Sequence, residues 1–180
     1  MNNIALAVDF ELNPFKVLCG ASEEWEVTEV GLTEVDLVNR KILKKVSFPI
    51  KCEHIINDEI ATLTGWTYGK LQKVGYNLLD VCEKLETKYG ARNRLIIVDQ
   101  WGELDPLRTQ LYHTEEGFHA YPFGSKLFNI ADFYRIRKND FTDQSMSSML
   151  KGLGLEFIGK PHRAADDSYN IARIFLELIK

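Results

Sequence analysis

At 180 residues, with 45% hydrophobic content and a net charge of −4, the chain can bury a full core in one domain, 1–180, without disulfides or a folding metal. No apolar run approaches the roughly 18 residues of a membrane span and the start lacks a basic leader, so a membrane protein is excluded and the cytoplasm is the expected compartment. Cys19, Cys52 and Cys82 are too widely spaced for a disulfide framework or a Cys-type zinc site, and are expected to be reduced packing residues.

Ile4 to Leu12, Val27 to Asp36 and Lys41 to Phe48 alternate as strands, with Asn39-Arg40 as a turn, and predict a three-strand antiparallel meander. Asn57-Asp58 caps a short helix through Leu63. From Gly69 to Tyr89, apolar residues at Leu71, Val74, Leu78, Cys82 and Leu85 predict one amphipathic helix stopped by Gly90. Leu95 to Val98 is a short buried strand, followed by a helix near Pro106 to His113 and an aromatic loop through Phe118 and Phe123. Leu127 to Ile130 forms a brief strand, and helices follow over Asp132 to Lys138, over Gln144 to Lys151 and after His162.

Two segments carry the chemistry. Asp9-Phe10-Glu11 closes the apolar run Ile4 to Val8. Residues two apart on a strand share a face, so both carboxylates project together, and their repulsion is tolerable only if cations or protons neutralise them. At the far end, His162-Arg163-Ala164-Ala165-Asp166-Asp167 opens the last helix. From Asp167, steps of four, seven and eleven reach Ile171, Ile174 and Leu178, an apolar face. The same steps from Asp166 give Asn170, Arg173 and Glu177, a solvated face. Asp167 therefore points inward, and Asp166 is a surface or dipole-complementing residue.

Together with Leu63-Thr64-Gly65-Trp66-Thr67 and Trp101-Gly102-Glu103-Leu104-Asp105, this constellation resembles the DEDDh family of 3′→5′ exonucleases, and most of all its Eri-1-type branch. The resemblance runs from Ile4 to the C-terminus and implies an RNase H-like α/β/α sandwich with a mixed central sheet. It implies a two-metal site of Asp9, Glu11, Asp105 and Asp167, with His162 as general base. Asp9 would bridge the ions, Glu11 and Asp167 would hold the ion on the nucleophile side, and Asp105 would act through an intervening water. Asp99, at the strand end, competes with Asp105 for the middle position. Hard carboxylate oxygens suit two Mg²⁺ ions, with Mn²⁺ able to substitute.

The resemblance further implies a pocket for the 3′-terminal nucleotide, where Phe10, Leu12, Thr64, Trp66 and Trp101 could contact sugar or base. Arg163, beside His162 at a helix N-terminus, suits a phosphate; Lys160, Arg135, Arg137 and Lys138 add local positive charge. The expected partners are single-stranded 3′ ends of RNA or DNA, since aromatic stacking tolerates any base. A catalytically silent nucleic-acid- or protein-binding domain on the same fold is the alternative.

Overall fold

The alternation at the start of the chain builds a meander longer than its apolar core. In this computed structural model, which describes residues 3–16, 23–115 and 117–180, β1 (Ile4–Lys16), β2 (Glu23–Asp36) and β3 (Lys41–Pro49) pair antiparallel. Both arms of the first hairpin extend past the expected strand ends. Short strands β4 (Ile96–Val98) and β5 (Leu127–Asn129) add in parallel on the other side of β1, giving a mixed sheet of order β3-β2-β1-β4-β5.

Period-two alternation along β1 divides two cores. Leu6, Val8 and Phe10 face a cluster with α3 (Leu78–Thr87) and α4 (Asp105–Tyr112). Ala5 and Ala7 face the other cluster, with α5 (Ile130–Lys138), α6 (Met146–Gly152) and α7 (Ala164–Leu178). Helices on both faces of a mixed sheet make the α/β/α sandwich. The expected helix over Gly69 to Tyr89 is instead two, α2 (Tyr68–Val74) and α3, which follow α1 (Asp58–Thr64). The break lies where backbone meets backbone: Lys51 N–H donates to Tyr76 O at 2.9 Å and Tyr76 N–H to Pro49 O at 2.8 Å. A Cβ on Gly75 would lie 2.5 Å from Leu71 O and 2.7 Å from Lys51 N, and Asn77 then caps α3 through its side chain.

Cys52 and Cys82 are buried free thiols, pushed by burial up to about 11 and about 12; Cys19 lies outside the described residues. No helix among the described residues is long and apolar enough to cross a membrane.

One glycine sets where α7 lands. Gly31 on β2 pairs with Asp9, and a Cβ there would sit 1.8 Å from Ala164 O. Thr33, two residues on, meets Ser168 hydroxyl to hydroxyl at 3.0 Å. The first turn of α7 therefore rests directly on the strand opposite Asp9. Gly31→Ala should cost roughly 1–3 kcal/mol by overpacking, as the first turn of α7 is pushed off the strand. Thermal melting checks this; a wild-type melting temperature would mean that the contact is not tight.

Candidate active site

Asp9 and Glu11 leave β1 on the α7 side, just before a bulge that shifts the β1–β2 register between Glu11 and Leu12. Asp167 approaches from the first turn of α7, carried inward by Ile171, Ile174 and Leu178 below it, all fully buried. A carboxylate oxygen from each of Asp9, Glu11 and Asp167 lies within 4.8 Å of the others, and all three side chains are buried. This grouping is what a hard cation requires of its oxygen ligands.

Electrostatics show the strain that such a cation would relieve. Asp9 is held far above the ordinary carboxylate range, first by burial and then by the charges of Glu103, Asp167, Glu11 and Asp99. Glu11 is pushed up to about 8 by burial and by Asp167, Glu29 and Glu103, against the opposing pull of Arg163. Asp167 rises to about 6 through burial, offset in part by the Arg163 N–H and the charge of His162. Asp99 is also raised by burial, and its Oδ1 is a buried acceptor with no protein donor. Three clustered hard donors and an orphaned oxygen beside them fit a divalent metal.

The middle carboxylate stands apart from the trio. Asp105 begins α4 with an exposed side chain, 3.4 Å from the Arg108 guanidinium, and does not enter the three-carboxylate set. It lines a recess with Trp101, Gly102 and Arg108, so it could reach a metal only across solvent. Glu103 turns inward instead: its Oε1 accepts the Phe10 N–H at 3.2 Å, and burial raises its pKa. Glu103 lies in a loop without periodicity, so nothing in its spacing marks it as inward-facing.

His162 is exposed immediately before α7 and takes a left-handed backbone conformation, φ 60°. That region is sparsely populated by non-glycine residues, costs on the order of 1 kcal/mol and persists only where the surroundings enforce it. On one side of it, Arg163 N–H donates to Asp167 Oδ2 at 2.9 Å. The Arg163 guanidinium stacks on Trp66, 4.7 Å from the ring centroid, with Nε 3.4 Å from Glu29 Oε2. Trp66 Nε1–H donates to the same Glu29 oxygen at 2.7 Å. Glu29 is fully buried and pairs with Glu11 across the β1–β2 ladder. Its place two residues before Gly31, in period with Thr33 and Val35 on the same strand face, is a local signal that sequence can carry.

The remaining candidates divide. Trp101 is largely exposed and donates its indole N–H to Asp132 of α5, beside the recess. Phe10 faces the core against Phe123 and Leu12 packs partly buried against the same cluster, so neither side chain reaches the carboxylates; alternation sends them to the other face. Thr64 is buried, its hydroxyl spent on Ile60 O and on the Trp66 N–H, and shapes the turn. Arg135 pairs with Asp132 and Asp143, and Arg137 donates to Leu178 O; both cations brace α5.

The polar stripe of α7 is not a solvated face throughout. Asn170, expected on a solvated face, is fully buried, because the segment Glu156 to Lys160 covers it.

The sequence model of the RNase_T exonuclease family matches residues 6–175. The human (Homo sapiens) protein 3′-5′ exoribonuclease 1 is 35% identical over 63 residues, which is 33% of this chain and 17% of that protein, so the match spans about a sixth of this curated relative. Among solved structures, the nuclease domain of 3′hExo, a DEDDh family member bound to rAMP, superposes with a TM-score of 0.80 at 20% identity, covering 98% of this chain and 92% of that one. Cell-death related nuclease 4 (CRN-4) gives 0.76 at 18% identity, covering 98% and 64%. S. pombe Pop2p in its Mg²⁺- and Mn²⁺-bound form gives 0.69 at 19%, covering 96% and 81%.

Proposed function

The chain belongs to the RNase_T exonuclease family, and from that premise we propose that its 180 residues form one 3′→5′ exonuclease domain, releasing 5′-mononucleotides from single-stranded RNA or DNA. The observation that carries this reading is the buried trio Asp9, Glu11 and Asp167, whose oxygens converge within 4.8 Å. Relatives in the comparison act at 3′ ends by name or were solved with rAMP, Mg²⁺ or Mn²⁺. Buried reduced cysteines suit a cytoplasmic setting.

Asp9, Glu11 and Asp167 would hold two Mg²⁺ ions, or Mn²⁺, with Asp105 assisting across water. The ions, when bound, neutralise the charge on phosphate and leaving 3′ oxygen and make water acidic enough to attack at neutral pH. The residues of the chain do the rest. His162, exposed at the mouth of the cluster, accepts the proton of the attacking water on its imidazole. Arg163, fixed over Trp66, sets a positive charge at the rim beside that base. Trp101 offers a ring face on which a base can stack without regard to sequence.

The DEDDh resemblance implies a site that takes an end. Cleavage should therefore require a free 3′-hydroxyl, proceed one nucleotide at a time and stop in EDTA. Single strands and 3′ overhangs should be degraded faster than blunt duplexes, whose terminal base must first be unpaired at a cost of a few kcal/mol. Gel assays on end-labelled RNA and DNA, with a circular single strand as control, test this. Efficient cutting of the circle would identify an endonuclease and remove the proposal.

A further inference from the structure

The stripe Asp166, Asn170, Arg173 on α7 recurs at steps of four and three, one face of the helix, and each member binds backbone of the segment that leads to His162. Arg173 Nη1–H donates to Glu156 O. Asn170 Oδ1 accepts the Ile158 N–H at 3.1 Å, and its Nδ2–H donates to Ile158 O at 2.9 Å. Asp166 Oδ2 accepts the Lys160 N–H at 2.9 Å, while its other oxygen takes the ammonium of Lys45 from β3. Alternate residues 156, 158 and 160 are thus laid along the helix as a ladder is laid along a strand.

The ladder ends two residues before His162. Pro161 between them fixes φ, and Asp167 holds the Arg163 N–H on the far side. His162, at φ 60°, is therefore suspended between two anchored amides, one held by each of two adjacent aspartates. Gly159, at φ 100°, lets the carboxylate of Asp166 come in close, since a Cβ there would lie 2.4 Å from its Cγ.

We infer that Asp166 is a positioning residue for His162, with Asn170 and Arg173 as the lower rungs of the same template, an inference that rests on the proton-accepting role proposed for His162. The adjacent aspartates then divide the work: Asp167 serves the cluster and Asp166 serves the base. A displacement of an ångström at a reacting group can cost about 10²-fold in rate, so the loss on removing Asp166 should fall on turnover.

The test uses the whole chain, a single-stranded 3′-hydroxyl oligonucleotide and Mg²⁺. Asp166→Ala should lower kcat by about 10- to 100-fold while KM and the Mg²⁺ midpoint stay unchanged. Asp166→Asn, which retains an acceptor oxygen for the Lys160 N–H, should recover most of that rate. In a His162→Ala background, Asp166→Ala should change kcat by no more than about two-fold, because residues that act through one another are not additive. Should Asp166→Ala fail to fold, Gly159→Ala, which displaces the same carboxylate from outside the helix, should show the same pattern. Additive losses in the double variant, or a raised KM or Mg²⁺ midpoint, would overturn the inference. Wild-type turnover in His162→Ala alone would instead sink the base assignment on which it rests.

Discussion

Asp9→Ala should abolish cleavage and, in EDTA at pH 8, yield a protein that melts higher than the wild type. Asp9 faces Glu103, Asp167, Glu11 and Asp99, so its removal deletes a member of the proposed metal site and a source of like-charge repulsion together. The pH dependence has a definite sign. Asp9, Glu11 and Asp167 are all raised in the fold, so the metal-free native state binds more protons than the unfolded chain. The stability contributed by those protons is fully present below the unfolded carboxylate range of about 4 and is lost as pH rises through the folded values.

Metal-free wild type should therefore lose melting temperature between pH 6 and pH 8, spanning the values of about 6 for Asp167 and about 8 for Glu11. Mg²⁺ should restore it, because cation replaces proton. The drop should shrink in Asp9→Ala. Melting curves in EDTA and in Mg²⁺ at the two pH values measure all of this; nuclease activity in Asp9→Ala, or a metal-free melting profile indistinguishable from wild type, would dismantle the site.

His162→Ala should keep substrate and metal affinity and lose about 10²- to 10⁴-fold in turnover, the range of general acid–base catalysis. The lost rate should return in part at higher pH, where hydroxide replaces the water that needs a base. The exposed position of His162, outside the three-carboxylate set, separates it from metal binding, so KM and the Mg²⁺ midpoint should not move. A variant with unchanged kcat and a raised KM would make His162 a substrate contact instead. A pH-rate profile of wild type and variant, with kcat and KM resolved at each point, distinguishes the two.

The sequence by itself determined whatever depends on local period. Two-residue alternation on β1 fixed that Asp9 and Glu11 share a face and that Phe10 does not, and the helical repeat of Ile171, Ile174 and Leu178 fixed that Asp167, not Asp166, turns inward. Both periods are geometric consequences of the backbone and survive any tertiary arrangement. The meander and the cap at Asn57 are local in the same sense.

Tertiary structure alone decided what lies between elements. The helix expected over Gly69 to Tyr89 breaks because the backbone of Tyr76 pairs with Pro49 and Lys51, partners more than twenty residues away, with Gly75 allowing the close approach. Glu103 turns inward because a loop side chain follows an available backbone donor, here the Phe10 N–H, and not a period. Asn170 is buried although its helical face is polar, because the covering segment brings backbone groups that its amide can satisfy. A polar residue on a helix face reads as solvated until something polar is laid across it, and only the fold says what that is.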